Sequence, residues 1–285
     1  MKADAAAVAI LTAAAGVPDA AAAALAPFAS GPARRLAGTA LEVPVGALPE
    51  GLAVDGVDVN VVPAAGRRKR LLLADMDSTI IDVECIDELA DFAGVKAEVA
   101  AITERAMQGE LDFEGALIAR VALLKGLPES VLARCYAERV HLNPGARTLV
   151  RTMAALGTET ALVSGGFTYF SARVAEAAGF ASNSANRLIA ADGLLTGEVA
   201  RPILGREAKL AALQSRAAAL GIGPDAVLAV GDGANDSAMV SAAGLGVAYH
   251  AKPALAAVAN ARIEHSDLTA LLALQGIAEG EWVKD

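Results

Sequence analysis

The sequence predicts an α/β protein with a doubly wound, mainly parallel sheet, and three observations carry that reading. The run LLLA at 71–74 is apolar without alternation, as in a strand covered by helices on both faces. From there to the C-terminus strand-like segments alternate with helical ones, the order that builds a parallel sheet. Three strand ends carry polar clusters, DMDST from Asp75, VSGG around Ser164 and VGDGAND around Asp232. The ends of such strands are where these sheets hold their ligands.

Taken in order, residues 1–66 read as a small α+β segment. MKADAAAVAILTAAAG is expected to form an Ala-rich first helix, since alanine is the strongest helix former. A single lysine, an early aspartate and alanine in place of leucine speak against a signal peptide. LEVPVGALPEGLAVDGVDVNVVP then mixes Pro and Gly with alternating valines, the mark of short strands joined by turns. Residues 67–285 form the main domain, with its core in 67–83 and 142–285. The basic run Arg67, Arg68, Lys69 and Arg70 reads as a solvated entry to the first core strand.

Residues 84–141 turn helical, through CIDELADFAG, VKAEVAAITERAMQGELDFEGALIARVALLKG and PESVLARCYAERV. Inserted after the first core strand, they would cover its C-terminal end as a cap. Asn143 is expected to cap the next helix, whose first position suits Pro144. TETALVSGG is then a strand, FTYFSARVAEAAG a helix, and ANRLIAADGLLTGEVA a hairpin turning at Asp192 and Gly193. Helix REAKLAALQSRAAALG, strand and loop DAVLAVGDGAND, helix DSAMVSAAG, the segment GLGVAYHAK and a helix near DLTALLALQG complete the chain.

Composition narrows the function. With 285 residues, 55% hydrophobic and 20% charged, the chain can bury a large core. A net charge of -9 argues against a nucleic-acid surface, which needs clustered Lys and Arg. No apolar stretch approaches the ~20 residues of a membrane span. Cys85 and Cys135 form no Cys-x-x-Cys pair, and His141, His250 and His265 lie too far apart for zinc spacing. Free thiols fit a reducing compartment, so a cytoplasmic location is expected.

The chemistry gathers at the strand ends. Asp75 and Asp77 project to one side of an extended chain and repel each other, so one takes a proton or both face a cation. Asp232, Asn235 and Asp236 add oxygen ligands from a Gly-rich turn, a hard donor set that suits Mg²⁺ rather than zinc. Ser164, Gly165 and Gly166 offer backbone N–H groups and a hydroxyl to an anion, and Lys209 could bring a charge beside it. Each part alone has a plainer reading: a strand-end cap, a turn, an Asx-rich loop, a solvated lysine. Their order and common placement point instead to phosphoryl transfer.

DMDST, SGG, the lysine of REAKL and GDGAND, in that order, resemble the haloacid dehalogenase-like phosphatases. The likeness runs from about Leu71 to Gly276. In the cap, ECIDELA, AMQGELDFEGALIARVALLKGLP and NPGARTLV resemble the phosphoserine-specific members. The resemblance implies Mg²⁺-dependent hydrolysis of O-phospho-L-serine, the last step of serine biosynthesis. Asp75 would be the nucleophile forming an aspartyl-phosphate, and Asp77 the acid and then the base. Mg²⁺ would be held by Asp75, the carbonyl of Asp77 and Asp232, with Asp236 orienting that shell. Ser164, Gly165 and Lys209 would hold the phosphoryl oxygens, with Asn235 close to them. Glu84 would pair with the substrate ammonium, Arg120 would grip its carboxylate, and Met107 and Phe113 would close over it. Residues 1–66 would be a reduced form of the ferredoxin-like regulatory module of longer relatives. Transfer to another small alcohol such as homoserine, and a silent amino-acid-binding scaffold, are the alternatives; the expected partner is the small-molecule substrate, with a homodimer left open. His250 and Lys252 of AYHAKP receive no chemistry, and Cys85 is expected to pack.

Overall fold

The computed structural model describes residues 7–46, 48–49, 51–107 and 110–284, the side chain of Met107 excepted. Ala7–Thr12 (β1), Asp19–Leu25 (α1), Arg34–Ala37 (β2), Ala40–Val45 (β3) and Asp58–Pro63 (β4) come first. Their strands form an antiparallel sheet in the order β2-β3-β1-β4. The predicted Ala-rich helix is corrected here: from Ala7 the segment is a central strand. Ala9 and Leu11 cluster with Ala21 and Leu25 of α1, while Val8 and Ile10 cluster with the main domain. A strand paired on both sides and buried on both faces outweighs alanine's helix preference, a few tenths of a kcal/mol per residue, roughly. Residues 1–6 of that prediction lie outside the described residues.

The core opens with Leu71–Ala74 (β5). Leu71 and Leu73 join one hydrophobic cluster and Leu72 and Ala74 the other, which is why the run shows no alternation. The cap follows as Cys85–Ala93 (α2), Lys96–Met107 (α3), Phe113–Ala122 (α4) and Ser130–Arg139 (α5). The long helical stretch is broken ahead of α4, where the Asp112 carboxylate accepts the Gly115 N–H at 2.7 Å as an N-cap. The chain returns through Ala146–Ala155 (α6), Glu159–Phe167 (β6), Thr168–Ala178 (α7) and Ser182–Asn186 (β7). Leu188–Ala191 (β8) and Leu194–Val199 (β9) form the expected hairpin, with Asp192 and Gly193 at φ 52° and 76°. Arg206–Leu220 (α8), Val227–Gly231 (β10), Ser237–Ala242 (α9), Leu245–Tyr249 (β11), Pro253–Ala256 (α10), Ala261–Ile263 (β12) and Ala270–Leu274 (α11) complete it.

The core sheet is parallel throughout, in the order β12-β11-β10-β5-β6-β7. From β5 the chain runs outward to β7 and then crosses to β10, so the order reverses between β5 and β10. That switch point is where such sheets open a crevice beyond their carboxyl ends. The N-terminal sheet seals the far edge: the Asn60 amide exchanges hydrogen bonds of 2.9 and 2.8 Å with the Arg262 backbone beside β4 and β12. Asp58 accepts the N–H of Glu264 at 2.7 Å.

Two sequence expectations change. Asn143 does not cap α6, whose N-cap is Gly145 at φ 79°. Its amide instead donates to Thr79 O at 2.8 Å and Ile81 O at 3.0 Å, pinning the loop after β5 to the returning chain. The basic run is less solvated than expected. Arg67 is 11% exposed and pairs with Glu42 at 2.6 Å, and Lys69 Nζ donates to Asp225 O at 2.7 Å. Arg68, more exposed, pairs with Glu281 at 2.7 Å, so the run fastens three segments to the start of the core. Among the described residues, no helix is long and apolar enough to cross a membrane.

Candidate active site

Asp75 leaves the end of β5 at the switch point, and Asp232 leaves β10 beside it. One carboxylate oxygen each from Asp75, Asp232 and Asp236 lie within 4.8 Å of one another, all three residues buried. A glycine at 231 is required, because a Cβ there would run into the Asp236 carboxylate. Lys209, 0% exposed, reaches this cluster from α8 and donates to Asp75 Oδ1 at 2.7 Å and Asp236 Oδ1 at 2.6 Å. Burial disfavours its charge, but Asp236 and Asp75 outweigh that and hold the ammonium above the usual lysine range.

The cluster carries more negative charge than Lys209 balances. Burial first, then the Asp75 and Glu84 charges, push Asp232 up to about 7, with Lys252 and Lys209 pulling against them. Asp236 is also pushed up to about 7, by burial and then by Asp75, despite Lys209. The donors are all carboxylate oxygens, which suits a hard divalent cation such as Mg²⁺.

Asp77 is held on both oxygens. Oδ1 accepts the Cys85 N–H at 3.0 Å, and Oδ2 accepts the Ser164 hydroxyl at 3.2 Å. Burial, followed by the charge of Glu84, pushes its carboxyl up to about 7. Ser164 Oγ in turn accepts the Gly166 N–H at 2.8 Å, and a Cβ on Gly166 would meet Asp77 Oδ2. Cys85 and Cys135 are free and buried, and burial pushes both thiols up, Cys135 to about 12. Neither is an activated nucleophile.

The cap closes over this group. Phe113 at the start of α4 lies against the Ser-Gly-Gly end of β6: a Cβ on Gly165 would stand 2.8 Å from its ring, and one on Gly205 3.0 Å. Glu84, just ahead of α2, accepts the Ser78 hydroxyl at 2.8 Å, with Ser78 in the left-handed region at φ 52°. Arg120 on α4 is half-buried; burial lowers its guanidinium, while Asp87, Glu84 and Asp77 lie near enough to oppose that. Asn235 stands half-buried on the turn after β10, its side chain folded toward Gly233. Met107 ends α3, and its side chain lies outside the described residues.

Sequence reasoning missed two supports. Asn186 ends β7 and its amide donates to Gly165 O at 2.9 Å and Leu204 O at 3.1 Å, fastening the irregular end of β6. Nothing in SNSAN marks that role. Lys252 places Nζ 3.7 Å from Asp232 Oδ2. Its position just beyond a strand end was the available signal.

The haloacid dehalogenase-like hydrolase family matches residues 72–241, a span that holds every core motif of this site. The chain belongs to that family. Among its curated relatives, a phosphoserine phosphatase of Mycobacterium tuberculosis is 46% identical over 82% of this chain and 58% of its own length. A phosphoserine phosphatase of Idiomarina loihiensis is 46% identical over 71% of this chain and 91% of its own. The chain spans only 55% to 63% of the length of three such family members. In structure, a probable phosphoserine phosphatase of Vibrio cholerae matches with a TM-score of 0.79 at 34% identity, covering 97% of this chain and 88% of its own. That coverage takes in the N-terminal sheet as well as the hydrolase core.

Proposed function

We propose that this chain is a Mg²⁺-dependent phosphomonoesterase that hydrolyses O-phospho-L-serine to L-serine and phosphate. The observation that carries the reading is the ring of Asp75, Asp77, Lys209, Ser164, Asp232 and Asp236 at one sheet edge, beneath a cap bearing Glu84 and Arg120. Asp75, Asp232 and the Asp77 carbonyl would hold Mg²⁺, with Asp236 orienting them. When bound, the ion would offset the carboxylate charge and polarise the phosphoryl group.

Both hydrogen bonds to Asp75 from Met76 N–H and Lys209 fall on Oδ1, so Oδ2 is the oxygen presented for attack on phosphorus. The P–O bond to serine breaks as the Asp75–phosphorus bond forms. Asp77, raised to about 7, carries a proton near neutrality and gives it to the departing serine oxygen. In the second half-reaction the same carboxylate takes a proton from water, which hydrolyses the aspartyl-phosphate. The Gly165 N–H, Ser164 Oγ and Lys209 would receive the phosphoryl oxygens, near Asn235. Glu84 would meet the ammonium and Arg120 the carboxylate of the substrate, with Phe113 and Met107 excluding water. Residues 1–66 are proposed as a reduced regulatory-type module seated on the phosphatase domain of 67–285.

Phosphate release from O-phospho-L-serine, O-phosphothreonine and an aryl phosphate, each with Mg²⁺ and with excess EDTA, tests the reading. Metal-dependent release that favours phosphoserine is the expected result. Release from the aryl phosphate alone would keep the chemistry and refute the substrate.

A further inference from the structure

The segment AYHAKP sets Lys252 at the mouth of the carboxylate cluster. Its backbone is fixed. The Lys252 N–H donates to Asp232 O at 2.9 Å, the His250 N–H donates to Ile263 O at 2.8 Å, and Pro253 restricts the residue before it to the extended region it adopts, φ -63° and ψ 149°. Its side chain stands mostly in solvent: it is 62% exposed, and Nζ lies 3.7 Å from Asp232 Oδ2, beyond hydrogen-bond length. The contrast with Lys209, fully buried and 2.6–2.7 Å from its two carboxylates, separates a permanent counter-ion from a replaceable one.

Asp232 faces the charges of Asp75 and Glu84, and Lys252 is the first of the two lysines that offset them. We propose that Lys252 is a stand-in cation: it holds Asp232 while no divalent ion is bound, and turns to the substrate phosphate once one is. A divalent ion among Asp75, Asp232 and Asp236 repels an ammonium beside Asp232, and a phosphate dianion is the group that gains from it. The four-carbon stem, rooted on a rigid turn, supplies the reach. The phosphate half of this inference rests on the proposed phosphatase reading; the metal half does not.

The test uses the full chain in three forms: wild type, Lys252→Gln and Lys252→Arg. Calorimetric titration of Mg²⁺ into EDTA-treated, dialysed protein is expected to give roughly three- to tenfold tighter binding for Lys252→Gln, the range for a partly exposed charge. Lys252→Arg should return towards wild type. Inorganic phosphate titrated into the Mg²⁺-loaded protein should bind roughly three- to tenfold more weakly to Lys252→Gln. Unchanged or weaker Mg²⁺ binding in Lys252→Gln overturns the stand-in role. Tighter Mg²⁺ with unchanged phosphate binding overturns the turn to phosphate. A wild-type protein that failed to release phosphate from phosphoserine would overturn the substrate reading, while the Mg²⁺ titration would still decide the role of Lys252.

Discussion

Without a divalent ion, the carboxylate cluster makes the folded protein less stable as pH rises. Asp77, Asp232 and Asp236 are each raised from an ordinary 3.8 to about 7, chiefly by burial. A raised carboxyl binds its proton more tightly folded than unfolded, so it favours folding fully below pH ~4 and loses that benefit as pH climbs to ~7. Between pH 5.5 and 7 each such group costs about 2 kcal/mol, from 1.5 pH units at about 1.36 kcal/mol per unit. The three share one set of neighbouring charges, so ionising one opposes the next and about one net proton leaves across this window. For a chain of this size about 2 kcal/mol is a fall of roughly 4–8 °C in Tm. Glu42, Glu279 and Glu281 are lowered and titrate below this window, so they do not mask the effect. The assay is thermal unfolding at pH 5.5 and 8 at matched ionic strength, with EDTA or with Mg²⁺. The EDTA-treated protein should melt lower at pH 8, and Mg²⁺ should restore most of the difference. Asp232→Asn should flatten the slope and blunt the rescue. Equal stability at both pH values with EDTA would refute the crowding of charge on which the metal reading rests.

Three substitutions probe the rest of the site. Asp75→Asn should reduce phosphate release by about 10⁴-fold or more while leaving the fold intact, since it removes the nucleophile and relieves repulsion; an insoluble protein would mean that Asp75 is structural. Arg120→Ala should raise KM for phosphoserine by roughly 10- to 100-fold, the worth of charge-assisted hydrogen bonds, and spare an aryl phosphate. Equal loss on both substrates would remove Arg120 from carboxylate recognition. Asn143→Ala deletes the bonds to Thr79 O and Ile81 O and should cost about 1–3 kcal/mol in denaturant unfolding. No change there would show that the loop after β5 holds its own shape.

Period and order in the chain were enough for the parallel core, the hairpin at Asp192 and Gly193, and the strand ends that carry Asp75, Ser164 and Asp232, because those features depend on local pattern and on turn chemistry. The same local reasoning failed at Ala7–Thr12, where alanine's preference for helix gave way to pairing with β3 and β4, partners that come from 28 or more residues later in the chain. It failed again at Asn143, which looked like a cap and binds a loop some 60 residues earlier. Which lysine is locked and which is loose was also beyond its reach. Lys209 and Lys252 are alike as letters, and only the packing of α8 against the sheet buries one among carboxylates while the turn before α10 leaves the other in water. Residue type and spacing are properties of the chain alone, but burial, charge crowding and the pKa shifts they cause exist only once distant segments share a low-dielectric interior.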